Sequence, residues 1–310
     1  MIEEWDLLFT NKPGNRISAG ISSYLPRLGL SALFLCLFSG IVLTFYYRPM
    51  GNVFQNVEEI TTLVPYGWFF RQFHYASGQL FVILMLIHAV DHFHQKRYRL
   101  YPEGQWQRLV FSLCLCFYTL FTGFVLKGDK EGLFAARIFM NITGNIPLVG
   151  ETISGWFILP GKDLFFLPYL YHCFFLPILI LYLIRTHIRK WFPKHGILYT
   201  GAAGLCLYAL FVKPFVDMPP DAFAASVKGP WFFLGIQTLL KTLPATLAGI
   251  VLPALFLGCV LVLPSLEKAG GKSGVEKSGL RIISRYLHWL IVLVFFLYAL
   301  LTLKTVFWGP

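Results

Sequence analysis

Seven stretches of this chain are long and apolar enough to cross a lipid bilayer, near residues 28–47, 74–93, 108–126, 168–188, 196–213, 244–264 and 286–307. A hydrocarbon core of about 30 Å takes roughly 20 helical residues to span. No water inside the bilayer satisfies backbone polar groups, so such spans are read as helices. The expected fold is therefore all-α, an integral membrane helical bundle of about seven transmembrane helices. The 310 residues are 56% hydrophobic and only 13% charged, which excludes an ordinary soluble domain.

Charge supplies an expected orientation. Of the 26 Lys and Arg residues, 16 fall on the same side as the N-terminus, in the start of the chain and the loops 91–108, 185–195 and 265–285. The positive-inside rule then puts the N-terminus inside, on the cytoplasmic side of a bacterial-type energy-transducing membrane, and the C-terminus outside. The net charge of +11 reflects these loops near anionic headgroups, not a nucleic-acid surface. The first residues, MIEEWDLLFTNKPGNRIS, are polar and acidic, unlike a cleaved signal peptide, and are expected to remain in the mature protein. Six cysteines (36, 114, 116, 173, 206 and 259) lie within spans, with no zinc or covalent-haem spacing, and read as buried free thiols.

There is no short repeat or low-complexity tract. The connection 127–167 is long enough to be functional, and its amphipathic pieces suggest short helices along the outer surface. A second outer loop, PFVDMPPDAFAASVKGPWFFLGIQTLLKTLP, is dense in Pro and aromatics, and EKAGGKSGVEKSG reads as a flexible basic linker. These loops divide the chain into a four-helix unit, 1–195, and a three-helix unit, 196–310.

Ionisable residues inside a membrane are expensive and need partners. His74 and His88 stand 14 residues apart in one span, which places them on nearly one helix face about 21 Å apart along the axis. His172 and His187, 15 residues apart, repeat the arrangement on a second helix about 22 Å long between them. If the two helices run parallel, His74 meets His172 near the outer face and His88 meets His187 near the inner one. A single such histidine pair is open between interhelical hydrogen bonding and metal ligation. Two pairs at matched depth favour axial ligation of two haem irons in a bundle core. Arg71, one turn before His74, is positioned for a haem propionate. Gly40 in LFSGIVLTFYYRP and Gly123 in LFTGFVLKGD sit near the outer ends of their helices; small residues there serve helix packing or clearance for a flat macrocycle, and their depth favours clearance. His92, His94 and His195 read as solvated at the inner interface, and His288 as a packed interfacial residue.

Taken in order, GIVLTFYYRP, YGWFFRQFH with thirteen residues to the next His, FTGFVLKGD, NIPLVG and H-x14-H containing FLP resemble the cytochrome b family of quinol-oxidising respiratory and photosynthetic complexes. The similarity is greatest to the short, chloroplast-type branch. PWFFLGIQTLLKTLP and VLPSLE resemble the segment that the chloroplast system carries on a separate small subunit, here fused at the C-terminus. The resemblance implies two haem b groups, one held by His74 and His172 and one by His88 and His187, with Gly40 and Gly123 giving clearance and Arg71 binding a propionate. It also implies quinol oxidation near the outer surface, one electron crossing through both haems, and a quinone site near the inner surface. The chain would then be the electron-transfer subunit of a quinol:acceptor oxidoreductase, a homodimer within a larger complex.

The departures bear on that expectation. Where the family has Pro-Trp-Gly/Asp-Gln this chain has Leu126-Lys127-Gly128-Asp129, and where it has Pro-Glu-Trp-Tyr this chain has Gly229-Pro230-Trp231-Phe232. The glutamate usually assigned as proton acceptor is therefore missing, and Asp129, Glu131 and Lys228 are the candidate substitutes; solvated loop charges are an equal reading of each. Two family glycines near the inner haem align with Pro26 and Leu109, the arginine after the inner ligand of the second helix with Asp91, and another arginine with Leu167. Tyr24 replaces the cysteine to which the chloroplast branch attaches an extra haem. Inner propionates could meet Arg27, Arg185, Arg189 or Lys190. The resemblance implies an iron-sulfur partner subunit, and the altered loops suggest a partner or quinone chemistry that differs from that arrangement, such as a multihaem c-type cytochrome. They also leave open a haem-binding membrane anchor that has lost quinone turnover. A transporter fits the span count alone.

Overall fold

The computed structural model describes residues 16–102, 104–212, 216–223, 227–270 and 275–308, and every regular element among them is helical. The N-terminal residues 1–15, parts of the second outer loop (213–215 and 224–226) and the Gly-Lys-Ser-Gly of the basic linker (271–274) lie outside the described residues. In chain order the helices are α1 (Arg16–Thr44), α2 (Val53–Thr62), α3 (Gly67–His94), α4 (Gln105–Val125), α5 (Lys130–Gly144) and α6 (Gly150–Phe157). They continue as α7 (Phe166–Leu183), α8 (Arg185–Trp191), α9 (His195–Phe211), α10 (Leu234–Leu239), α11 (Leu247–Gly270) and α12 (Val275–Trp308).

Six of these are long and apolar enough to cross a membrane: α1 from Tyr24, α3, α4, α7, α11 and α12 from Gly279 to Phe307. The expected fifth span is the exception. It forms α9, of 17 residues, about 26 Å at 1.5 Å per residue. Val212 after it is already extended, and the sequence continues Lys213-Pro214, where a proline disfavours helical geometry in its predecessor. The connection 127–167 forms α5 and α6, as its amphipathic pattern suggests, followed by a 3₁₀ turn at Gly161–Asp163.

Two of the long helices contain a widened turn. Tyr171–Phe175 within α7 and Leu247–Val251 at the start of α11 are π-helical. Each ends two residues before a proline, Pro177 and Pro253, which has no N–H to donate to the carbonyl four residues back. Such turns often sit at functional positions, and the first of them carries His172.

The described residues form two compact units. The first comprises residues up to 47, 59–97 and 177–215, and the second 48–58, 98–176 and 216–310. In the first, α1 lies along α3, and α9 packs on both; Phe73, Leu205 and Ala209 form its buried apolar contact. In the second, α11 and α12 pair, and Phe121, Val125, Ala136, Ile158 and Leu164 are buried together beneath α5 and α6. Large apolar side chains such as Tyr286, Trp289, Leu293 and Phe296 stay exposed along α12, as a lipid-facing surface requires. The six cysteines are free.

Candidate haem and quinone sites

His74 projects from α3 toward α1 in the first unit. Its Nδ1 lies 3.0 Å from the carbonyl oxygen of Cys36, with Ser39 Oγ at 3.2 Å and Cys36 Sγ at 3.6 Å. A carbonyl can only accept, so the bond to Cys36 puts the proton on Nδ1 and makes Nε2 the ring nitrogen whose chemistry suits a metal. One turn further along α1, a side-chain carbon on Gly40 would lie 2.9 Å from Cε1 of His74.

His172 has the same surroundings in the second unit. Its Nδ1 lies 2.9 Å from the carbonyl oxygen of Thr119 and 3.3 Å from Oγ1 of Thr122. A side-chain carbon on Gly123 would lie 2.6 Å from its Cε1. The two cradles are written by one pattern, Cys36-Leu-Phe-Ser39-Gly40 and Thr119-Leu-Phe-Thr122-Gly123, so the chain does contain an internal repetition. In each, a carbonyl fixes the ring, a hydroxyl three residues on approaches the same nitrogen, and a glycine four residues on makes room. The hydroxyls of Ser39 and Thr122 also donate to carbonyls of their own helices, which keeps them in place.

His88 and His187 come together in the first unit, with ring centroids 5.8 Å apart at 62°. His88 is 8% exposed, and neither of its ring nitrogens has a hydrogen-bond partner. An unpaired buried imidazole is costly in a membrane helix. His92 also faces this place, its ring centroid 4.1 Å from that of His88 and its Nε2 3.3 Å from Nη1 of Arg97. Basic groups of α1 and α8 lie on nearby aromatics: Arg27 is 4.9 Å and Lys190 5.3 Å from the Trp191 ring, and Arg185 is 4.2 Å from that of Tyr182. Pro26 is fully buried, Tyr24 is exposed, and Asp91 accepts a 2.5 Å hydrogen bond from Gln95.

These residues fit haem. Two imidazoles are oriented through Nδ1, each beside a glycine where a side-chain carbon would strike the ring, and a third, that of His88, is buried with both nitrogens unpaired. Arg71 is half-buried and donates through Nη1 to Oγ1 of Thr61.

The three candidate proton acceptors have distinct surroundings. Asp129 is fully buried; its Oδ1 accepts from the Gly132 N–H at 2.8 Å, capping α5, and its Oδ2 is 2.5 Å from Nζ of Lys127. The same ammonium lies 3.2 Å from Asp217 and 3.5 Å from Glu131. Burial alone would lower the Lys127 pKa, but Asp129, Asp217 and Glu131 together raise it above the ordinary lysine value. Gly128, at φ +66°, brings the loop so close to Phe54 that a side-chain carbon would lie 2.9 Å from the Phe54 nitrogen. Glu131 is a third exposed, and Lys228 is exposed. Asp217, which the sequence did not single out, is nearly buried and completes the group around Lys127.

Residues 20–191 match the protein family described as Cytochrome b/b6/petB, and residues 220–306 the family described as Cytochrome b(C-terminal)/b6/petD. The chain is 24% identical over 311 residues to "Cytochrome b" of Rickettsia prowazekii, across 87% of its own length and 77% of that protein. It is 25% identical over 292 residues to "Cytochrome b" of Myxine glutinosa, across 81% and 74% of the two chains. Among solved structures, a chain of "Hyperthermophilic respiratory Complex III" has the same fold, with a TM-score of 0.60 at 17% identity over 91% of this chain and 90% of that one.

Proposed function

The chain belongs to the cytochrome b family, and on that premise we propose that it holds two haem b groups, one between His74 and His172 and one between His88 and His187. It is a haem b-binding membrane subunit of a quinol oxidoreductase. A haem held by two imidazoles supplies reversible one-electron transfer when bound. The chain's own residues set the ring orientation, exclude side chains at Gly40 and Gly123, and offer Arg71, Arg27, Arg185, Arg189 and Lys190 to propionates.

The observation that carries the reading is the duplicated cradle, in which His74 and His172 receive the same carbonyl, hydroxyl and glycine. The unpaired nitrogens of His88 support the second pair. The test is the haem b content of the purified protein: two per chain are expected, and fewer would overturn the assignment. Replacing His74 and replacing His172 should each remove the same haem and spare the other.

In the full reading, the subunit carries electrons between quinone and an iron-sulfur or multihaem c-type cytochrome subunit of a homodimeric complex. The N-terminus is inside, as the 16 of 26 basic residues on that side indicate. The division 1–195 and 196–310 is supported by the two family matches, to 20–191 and 220–306. The three helices α9, α11 and α12 after residue 195 support a chloroplast-type layout with the small-subunit part fused.

A second reading has a specific observation behind it. Pro230 stands where the family has its glutamate, and Asp129 is committed to Lys127 and to the α5 cap. A haem-binding anchor without quinone turnover would look the same at these positions. Haem reduction by added quinol in membranes separates the two, because an anchor shows none.

A further inference from the structure

The second unit contains an aromatic cluster with one uncommitted polar group. Tyr118 on α4 stacks with Phe121, centroids 6.0 Å apart at 25°, and meets Phe157 edge-on at 5.6 Å and Phe139 at 6.3 Å. Phe121 in turn meets Phe233 at 5.5 Å. The Tyr118 hydroxyl is enclosed and has no hydrogen-bond partner. The neighbouring Tyr171 is different: its hydroxyl donates to the Trp156 carbonyl at 2.6 Å, and its ring is 6.2 Å from that of Tyr118.

An enclosed, unpaired hydroxyl carries a desolvation penalty that a phenylalanine would avoid. A packing role therefore accounts for the ring of Tyr118 and leaves its oxygen unexplained. Tyr118, Phe139 and Phe157 are only half-buried, so the cluster reaches the surface of the chain. Flat aromatic faces around a single hydrogen-bonding atom suit a flat ring that carries an oxygen at its edge. Phe232 and Phe233, in the segment that departs from the family pattern, line the same cluster with hydrocarbon.

We propose that the Tyr118 hydroxyl is the hydrogen-bond partner of a quinone headgroup bound among these rings. The inference rests on the reading above that the subunit turns over quinone. A phenol has an ordinary pKa near 10, so at neutral pH this group donates to a quinone carbonyl and does not take up the quinol proton. Tyr118 then binds and orients the headgroup, and proton acceptance falls to another group.

The experiment uses membranes carrying the assembled complex, with decyl-ubiquinol and menadiol as reductants and haem absorbance as the readout. Tyr118→Phe should raise the half-saturating concentration of the accepted quinol about tenfold, with haem content and dithionite-reduced spectra unchanged. Tyr171→Phe, which removes a hydroxyl already paired to backbone, should leave that concentration where it is. An unchanged value in Tyr118→Phe, or an equal rise in both variants, overturns the inference while leaving quinone turnover intact. Reduction by neither quinol in wild-type membranes with intact haem overturns quinone turnover itself, and the inference with it. If Tyr118→Phe does not accumulate, infrared difference spectra of wild-type protein with decyl-ubiquinone decide: a carbonyl band at lower frequency than in bare lipid is expected, and an unshifted band overturns the inference.

Discussion

A side-chain carbon on Gly123 would lie 2.6 Å from Cε1 of His172, where ordinary contacts begin near 3.4 Å, while the Nδ1 of the same ring is tied to Thr119 at 2.9 Å. Displacing the ring from such a carbon works against that bond. Gly123→Ala is therefore expected to lower haem affinity at this pair on the order of 10–100-fold, the usual cost of disturbing a ligand's outer contacts. Gly40→Ala should follow with a smaller loss, since the approach to His74 is 2.9 Å. Haem b per purified chain measures both. Full occupancy in Gly123→Ala would mean that the glycine serves helix packing alone.

Much of this arrangement is legible in the sequence because helical spacing is a geometric rule. The intervals between His74 and His88 and between His172 and His187 fix face and depth, and the fold brings His88 and His187 to 5.8 Å. Ser39 and Thr122 are harder to read, because hydroxyls in membrane helices ordinarily bond their own backbone, and these two do so as well as approaching a histidine. The repetition that contains them lies in two helices some eighty residues apart in the sequence, from Cys36 to Thr119, and is obvious only when the surroundings of each histidine are seen. Asp129 shows the opposite difficulty. Its acidity suits a proton acceptor, an aspartate at the start of a helix is equally an N-cap, and in the fold its Oδ1 caps α5. His92 reads as a solvated interfacial residue, yet the helix turn lays it against His88. The short α9 and the two π turns follow from prolines at 214, 177 and 253, whose effect on helix ends hydropathy does not register.

His88 and His92 lie one turn apart on α3 with ring centroids 4.1 Å apart, so a ligand assignment by spacing alone could slip by a turn. Their partners separate them: His92 approaches Arg97, whereas the nitrogens of His88 have no partner. Removing His92 is expected to leave haem content unchanged, and removing His88 to delete one haem. Reduced-minus-oxidised spectra of the two variants decide, and the reverse pattern would shift the ligand to His92.

Asp129 does two jobs that substitution can separate. Asn at this position retains a cap for the Gly132 N–H, whereas Ala loses both cap and charge. Replacing a capping residue with Ala typically costs about 1 kcal/mol, so Asp129→Ala should melt below Asp129→Asn, each compared with wild type in the same detergent. Equal melting points would show that the hydrogen bond at 2.8 Å contributes nothing measurable.

Lys127 holds three carboxylates, two of them almost without solvent contact, and its side chain is 22% exposed. Lys127→Met leaves those charges facing one another, and breaking a buried ion pair costs on the order of 3 kcal/mol. The pH dependence has a definite sign. The Lys127 pKa is raised in the folded protein, because the carboxylates outweigh the effect of burial. Its contribution to stability is thus complete below the unfolded lysine value of about 10.4 and disappears as pH rises through the higher folded value. The wild-type melting temperature should therefore carry no contribution from this group's titration between pH 7 and 9 and should lose one above about pH 10.5. In Lys127→Met the melting temperature is already lowered at pH 7, and the difference from wild type should shrink as pH is raised. A difference that stays constant across the alkaline range would show that the methionine acts by altered packing and that the ammonium charge is not what joins Asp129 to Asp217.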